Sequence, residues 1–356
     1  MRDSGTGFVI VESVSFRTDM MKRVLIWMAV LILASAPAVA LESELTLHPA
    51  KVTEPAQDYQ LLPRADKQTD ADAVPLYEKA IQLMPKGVKQ EQIREWLKLP
   101  AEQFPQEQAE EALQEWVDSL RLVVRAARCK QYNWPEWKPG TQPENLNDYR
   151  ALAFALGLWA RLEICRGQYE VVLAAMQTGF GMAKQLGQAP TIMQAMVGMG
   201  VGALMCREVE QFVQRKDSPN VYTALANLPE PLVDVEKAIE NEKAVGFAKV
   251  EDGLVRKQLE EQMEPAHDRV RMIAKRLDNH LNALQIVEAI RHYAATHDVQ
   301  LPEKLSGISQ IDVPKDLISD RPFEYRRSAV GARLRSAIPE GGKERDAICF
   351  EIVLER

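Results

Sequence analysis

Between Asn145 and Arg215 the chain presents three apolar helical segments in succession: "NLNDYRALAFALGLWARLEICRG", "QYEVVLAAMQTGFGMAKQLGQ" and "APTIMQAMVGMGVGALMCREVEQFVQR". Only a glycine break at Gly167 and a proline restart at Pro190 separate them. Helices of about 20 residues with connections this short must double back, so each is expected to run antiparallel to the next. A helix that is apolar on nearly every side is packed from several directions. The chain is therefore read as mainly α, an antiparallel helical bundle or solenoid with these segments at its centre.

The flanking sequence extends the pattern. "DADAVPLYEKAIQLMPKG" sets Ala73, Leu76, Ala80 and Leu83 at helical spacing and stops at Pro85 and Gly87. "PQEQAEEALQEWVDSLRLVVRAARCKQY" is a longer helix with Ala109, Leu113, Trp116, Leu120 and Val123 on one face. In the turn-rich link "NWPEWKPGTQPEN", Trp134 and Trp137 are expected to plug helix ends. A charged amphipathic segment follows from Val233 to about Met263, and beyond Pro265 a helix carries Val270, Ile273, Leu277, Leu281, Leu284, Val287 and Ile290 in one stripe. The period then changes to two. "PFEYRR", "GARLRSA" and "AICFEIVLE" alternate like half-buried strands of a small antiparallel sheet, with turns at Val330-Gly331 and Gly341-Gly342. The organisation expected is a polar arm over 41–69, a helical bundle over 70–263, and a long helix plus small sheet over 264–356.

Ahead of the arm, "MMKRVLIWMAVLILASAPAVALESE" has the form of a signal peptide. Lys22 and Arg23 give the positive end, Val24 to Leu33 the apolar run, and Ala38-Val39-Ala40 the small residues before a cut. Cleavage after Ala40 would make Leu41 the first mature residue. A spanning helix wants about 20 apolar residues, and Pro37 ends this run early, so membrane contact is expected only if segment 20–40 stays uncleaved. Residues 1–19 carry no targeting pattern, and a start at Met20 or Met21 would give an ordinary signal peptide. An exported protein, periplasmic or extracellular, is the expectation.

Export bears on the four cysteines, Cys129, Cys165, Cys206 and Cys349. In an oxidising compartment they are candidates for disulfides, with three pairings open. Cys165 and Cys206 lie in apolar helical patterns, where a cysteine also serves as a small buried hydrophobe. No spacing among them matches CxxC or a zinc site.

The formal charge of −7 is spread along the chain without a basic stripe, which argues against nucleic acid as a partner. His292 and His297, five apart, fall on different faces of a helix. No Gly-x-Ser-x-Gly is present. In "VGMGVG", Gly198, Gly200 and Gly202 lie inside a helix and suit close packing, since a dinucleotide loop must follow a strand. Glu240 and Glu242 are two apart and read as a solvated face. Glu340, Glu344 and Asp346 in "EGGKERD" lack EF-hand spacing. No catalytic, cofactor-binding or metal-binding residue is assigned, and no cofactor is expected.

The run "NALQIVEAIRHYAATHDVQLPEKLSGI…VPKDLISDRPFEYRR" resembles the C-terminal headgroup of type II secretion major pseudopilins. Leu301-Pro302 stands at the turn after the helix, Pro314 and Asp316 match a second element, and Pro322, Phe323 and Tyr325 match the one that opens the sheet. The calcium loop of that family is replaced by "EGGKERD", so calcium is not carried over. Residues from about Ala73 to Ala244 are similar to the helical part of exported bacterial proteins that join a tetratricopeptide-like bundle to such a tail. The resemblance implies an architecture and no chemistry. The function expected is a non-enzymatic interaction or scaffold protein of the cell envelope with protein partners. The alternatives are an envelope hydrolase with a carboxylate site assembled from separate helices, or an accessory subunit of a secretion- or pilus-like assembly.

Overall fold

The structure, a computed structural model, describes residues 41–52, 59–86, 90–138, 141, 143–248, 250, 252–309 and 311–355. The signal-like segment, with Ala38 and Ala40, lies outside the described residues. The chain is mainly helical, with α1 (Val74–Gln82), α2 (Gln90–Trp96), α3 (Gln106–Ala127), α4 (Leu146–Arg166), α5 (Tyr169–Gly187), α6 (Ile192–Val213), α7 (Tyr222–Ala226), α8 (Glu236–Gly246) and α9 (Gly253–Thr296). The strands are β1 (Leu41–Leu47), β2 (Thr69–Asp72), β3 (Cys129–Gln131), β4 (Lys315–Asp316), β5 (Arg321–Pro322), β6 (Glu324–Arg327), β7 (Ala332–Arg335) and β8 (Ile348–Leu354).

Local chemistry sets the ends of the central helices. Helix α4 stops where Gly167 turns left-handed at φ 69°, a conformation glycine adopts without a Cβ penalty. The Gln168 and Gly167 amides then close on the Glu163 and Ile164 carbonyls. Helix α6 starts after Thr191, whose hydroxyl accepts the Gln194 amide. Side-chain meetings fix the directions. On α5 and α6, Gly179 faces Met205 while Gly187 faces Gly198, an antiparallel pairing. On α4 and α6, Gly157 faces Leu204 and Arg161 bonds Glu208, a parallel one, so α5 runs opposite to both.

Helix α6 is the hub. Among the described residues it is the one helix long and apolar enough to cross a membrane by length and composition, yet 67% of its most apolar window is buried by α4, α5 and α9. Its glycines divide accordingly. A Cβ on Gly198 would stand 2.8 Å from the Ala183 carbonyl oxygen of α5, and one on Gly202 would press on Leu277 of α9 and on Leu232. Around Gly200 there is nothing within 4 Å.

Two expectations are corrected. The terminal sheet is mixed rather than antiparallel: its strand order is β1-β8-β7-β6, with β1 parallel to β8 along its whole length. Part of the segment read as a polar arm is thus a sheet strand, with the fully buried Leu45 and Leu47 beside Ile352 and Leu354. "LESELTL" alternates over too few residues to stand out from its polar surroundings, and its partner lies at the far end of the chain. The second correction concerns Pro265, where a new helix was expected. Helix α9 runs straight through it. A proline forfeits one hydrogen bond and crowds the carbonyl four residues back, but Pro265 and Glu261 are both exposed, where solvent satisfies that carbonyl.

Replacing Gly198 by alanine should cost about 1–3 kcal/mol, because two helix backbones must separate. The same change at Gly200 should stabilise by about 1 kcal/mol through helix propensity. Urea midpoints of the two variants check this; equal effects would mean that α5 and α6 do not meet at Gly198.

Candidate interaction surface

Several ionised or strongly polar side chains lie inside the helical body, and each seats a neighbouring segment. Arg161 of α4 and Glu208 of α6 form a two-pronged pair, Nε to Oε2 2.8 Å and Nη2 to Oε1 2.9 Å, both side chains almost wholly buried. The remaining Arg161 nitrogen donates to the Leu99 carbonyl at 2.6 Å and pins the loop before α3. Burial pushes the Glu208 carboxyl up and Arg161 pulls it back. Two residues further along α6, the Glu210 carboxylate meets His280 of α9 at 2.8 Å and accepts the Ser43 hydroxyl of β1 at 3.1 Å.

Arg291 of α9 is fully buried and donates to Glu288 at 3.0 Å, to the His48 carbonyl at 3.0 Å and to Ser218 at 2.9 Å. Glu288 also accepts the Val221 amide at 3.1 Å, and Asn220 bridges the Ala50 and Glu288 carbonyls at 2.9 Å each. In the tail, Asp316 accepts from Asn279 (3.0 Å), the Ile318 amide (2.8 Å), Ser319 (3.2 Å) and the Ala337 amide (2.6 Å). These groups hold structure together, and their oxygens are turned toward the donors they seat.

The residues singled out from sequence are scattered. Leu41 opens β1. All four cysteines are free thiols. Cys129 receives the Thr69 hydroxyl at 3.7 Å, Cys165 faces the Ala101 carbonyl at 3.5 Å, and Cys349 accepts from Arg333 at 3.2 Å. Cys206 is wholly buried, which drives its thiol pKa well up. Trp134 caps α5 by donating to the Gln185 carbonyl at 3.0 Å, whereas Trp137 closes its own loop on the Thr141 carbonyl at 3.0 Å. His292 accepts the Val52 amide at 3.0 Å, and His297 stacks on Tyr293. Glu344 pairs with Arg335, and Asp346 accepts the Lys343 amide at 2.7 Å. Among the described residues no group of three or more His, Cys, Asp or Glu is placed to hold a metal ion.

Glu242 departs from the solvated reading: it is buried on α8 and accepts the Ile192 amide at the start of α6 at 2.7 Å. Burial lifts its pKa to about 7. Asp278 does the same for the Leu232 amide at 2.9 Å, and burial lifts it to about 6.

What the fold leaves open is the outer face of the terminal sheet. Its inner side carries Leu45, Leu47, Leu334, Phe350 and Ile352, all buried. The pleat turns their neighbours outward, so Glu44, Glu351, Arg333 and Arg326 form one cross-strand row, and Arg335 and Glu324 stand opposite each other in the next. Ion pairs lace the face: Arg333 with Glu351 at 3.0 Å, Arg326 with Glu324, and Arg335 with Glu344. Glu324, Arg326, Arg333 and Arg335 surround a shallow depression of about 110 Å³. Strand β6 is the last of the sheet and pairs, among the described residues, with β7 alone. A larger open depression of about 490 Å³ lies along α2 between Glu91, Gln92, Arg94 and Glu95.

No family model, curated protein or solved structure matches the chain.

Two outcomes follow from the buried charges. Arg161→Met should destabilise by about 3–5 kcal/mol, because Glu208 is left unpaired, and Glu208→Leu in the same chain should restore most of it; denaturant unfolding of both variants checks this. A carboxyl whose folded pKa is raised binds a proton more tightly folded than unfolded. Its stabilising share is therefore full below about pH 4.5 and is lost as pH rises through about 7, by up to about 3 kcal/mol for Glu242. Glu242→Gln should flatten that decline in melting experiments from pH 5 to pH 8; an unchanged slope would refute the assignment.

Proposed function

We propose that this chain is an exported, non-enzymatic scaffold protein: a tetratricopeptide-like helical array that carries a pseudopilin-like sheet and docks a protein partner through that sheet. One observation carries the reading. The sheet is sealed by apolar side chains on one side, presents a charged and ion-paired surface on the other, and ends in β6 with exposed Glu324, Arg326 and Arg327. Such a surface suits protein recognition, where the edge backbone supplies hydrogen bonds and the rim charges supply specificity.

Two further features support it. The cut expected after Ala40 falls immediately before Leu41, the first residue of β1, and would leave that strand whole, so maturation and the fold are compatible. The motif residues of the tail have architectural employment: Asp316 gathers four donors, and the Tyr325 hydroxyl donates to the Pro302 carbonyl at 3.0 Å, tying the sheet to the turn after α9. The helical array supplies a rigid mount, as stacked helical repeats do for their binding faces.

A photoreactive residue at position 326, with a control at the exposed Lys79 of α1, tests this in an envelope extract. A discrete adduct at 326 that unlabelled protein competes away, with none at 79, is the expected result. Mass spectrometry of the mature protein should give Leu41 as its first residue. Equal labelling at both positions, or an intact 20–40 segment, would overturn the corresponding half of the reading.

A further inference from the structure

The charges on the sheet's outer face identify what β6 fits best. Arg326 stands directly across from Arg333 of β7 on the same exposed side. Like charges directly opposite on neighbouring strands repel. Arg333 is relieved on its far side by Glu351, but Arg326 is on the outermost strand, and the carboxylate it reaches, Glu324, lies two residues away along its own strand. The row Glu44, Glu351, Arg333, Arg326 therefore ends on a positive charge with no strand beyond it among the described residues.

We infer that β6 pairs with β6 of a second copy of this chain, antiparallel and centred on Tyr325, joining two sheets edge to edge across a twofold axis. This rests on the reading of the sheet edge as a docking surface and names its partner. In that register Glu324 faces Arg326 of the second copy, and Arg326 faces its Glu324. Each row then continues as Glu351, Arg333, Arg326 and the second copy's Glu324, so that the outermost arginine has a carboxylate on the side where it had none.

The alternatives fail on charge or on pleat. A shift of one residue sets Tyr325, from the inner face, against Arg326, from the outer face, which the alternation of a sheet forbids. A shift of two residues in one direction sets Arg326 on Arg326, and in the other Glu324 on Glu324. The stretch that can pair is also bounded: Pro322 has no amide to donate, and beyond Arg327 the hairpin turns at Ser328, whose amide bonds the Gly331 carbonyl. What remains, residues 323–327, is symmetric about Tyr325. The same charges discourage foreign strands, as they do on protein sheet edges generally, while a self-complementary order exempts the chain's own copy. So few residues bury less than a standard interface. The association is weak, concentration-dependent and loosened by salt.

Sedimentation velocity of the mature chain over a concentration series at low salt is the experiment, with Glu324→Arg, Arg326→Glu and an equimolar mixture of the two variants. Each reversal sets like charges across both symmetric contacts, so either variant alone should weaken self-association at least about tenfold. The mixture pairs arginine with glutamate at both contacts and should associate again. Both side chains are exposed, and thermal melts of the single variants should match the parent. A parent that stays monomeric throughout, self-association unmoved by the reversals, or a mixture no better than its components would each overturn the proposal. A competed photo-adduct with a different protein at position 326 would then leave the docking reading standing and remove only the self-pairing.

Discussion

A charge sealed inside a helical core is tolerated only when a partner of opposite sign and a full set of hydrogen bonds come with it. Arg161 and Glu208 meet that condition by geometry that admits one arrangement of α4 against α6. Both helices are otherwise apolar around much of their surface, and leucine, alanine and methionine packed against their like can slip by a turn at modest cost. Sliding α6 along α4 would strand two buried ions, so the pair acts as a register pin more than as a source of net stability. Glu210 with His280 pins α6 to α9 in the same manner. Because α6 touches α4, α5 and α9, the two contacts fix the centre of the molecule.

The same chemistry draws in the parts of the chain that lack a strong preference of their own. Arg291 collects the carbonyls of His48 and Ser218, and its own carbonyl accepts the Ala50 amide at 3.2 Å, so the stretch after β1 lies along the end of α9. Strand β1 is fastened twice, by β8 through its backbone and by Glu210 of α6 and Gln214 just past its end, which engage Ser43 and the Thr46 amide. The terminal sheet is therefore tied to the helical body through its edge strand as well as through α9. The boundary expected after Met263, between a helical bundle and a long helix with its sheet, falls inside the continuous α9, and β1 links the sheet back to the helical body.

Periodicity made the long helices and the three last strands legible, because α4, α5 and α6 bury faces written into consecutive residues and β6, β7 and β8 form hairpin neighbours. Strand β1 was hidden for the opposite reason: its meaning depends on a partner about three hundred residues away. Arg161, Glu208, Glu288 and Arg291 gave a signal that could have been read. Arg161 and Glu288 in particular are charges set among apolar neighbours in a helix, and such a residue either faces solvent or has a buried mate; which mate, spacing alone does not say. Glu242 illustrates the limit. On an amphipathic, charged segment it looks like any surface glutamate, and only the approach of Ile192 from another helix takes it out of water.

The placement proposed for a docking edge follows from the contrast between inside and outside. Within the body, the charges that seat loops are arranged so that attraction exceeds repulsion: Asp316 sees amides and an asparagine, Arg291 sees carbonyls and a carboxylate. On the outer face of the sheet the order breaks down, with Glu44 beside Glu351 and Arg333 beside Arg326. Solvent screens such contacts, so they carry no penalty large enough to unfold the sheet. Screening also means that the contacts regain force wherever another surface excludes water from them. A row whose charges are badly placed for the isolated sheet and well placed for one more strand marks the side on which that strand would be added.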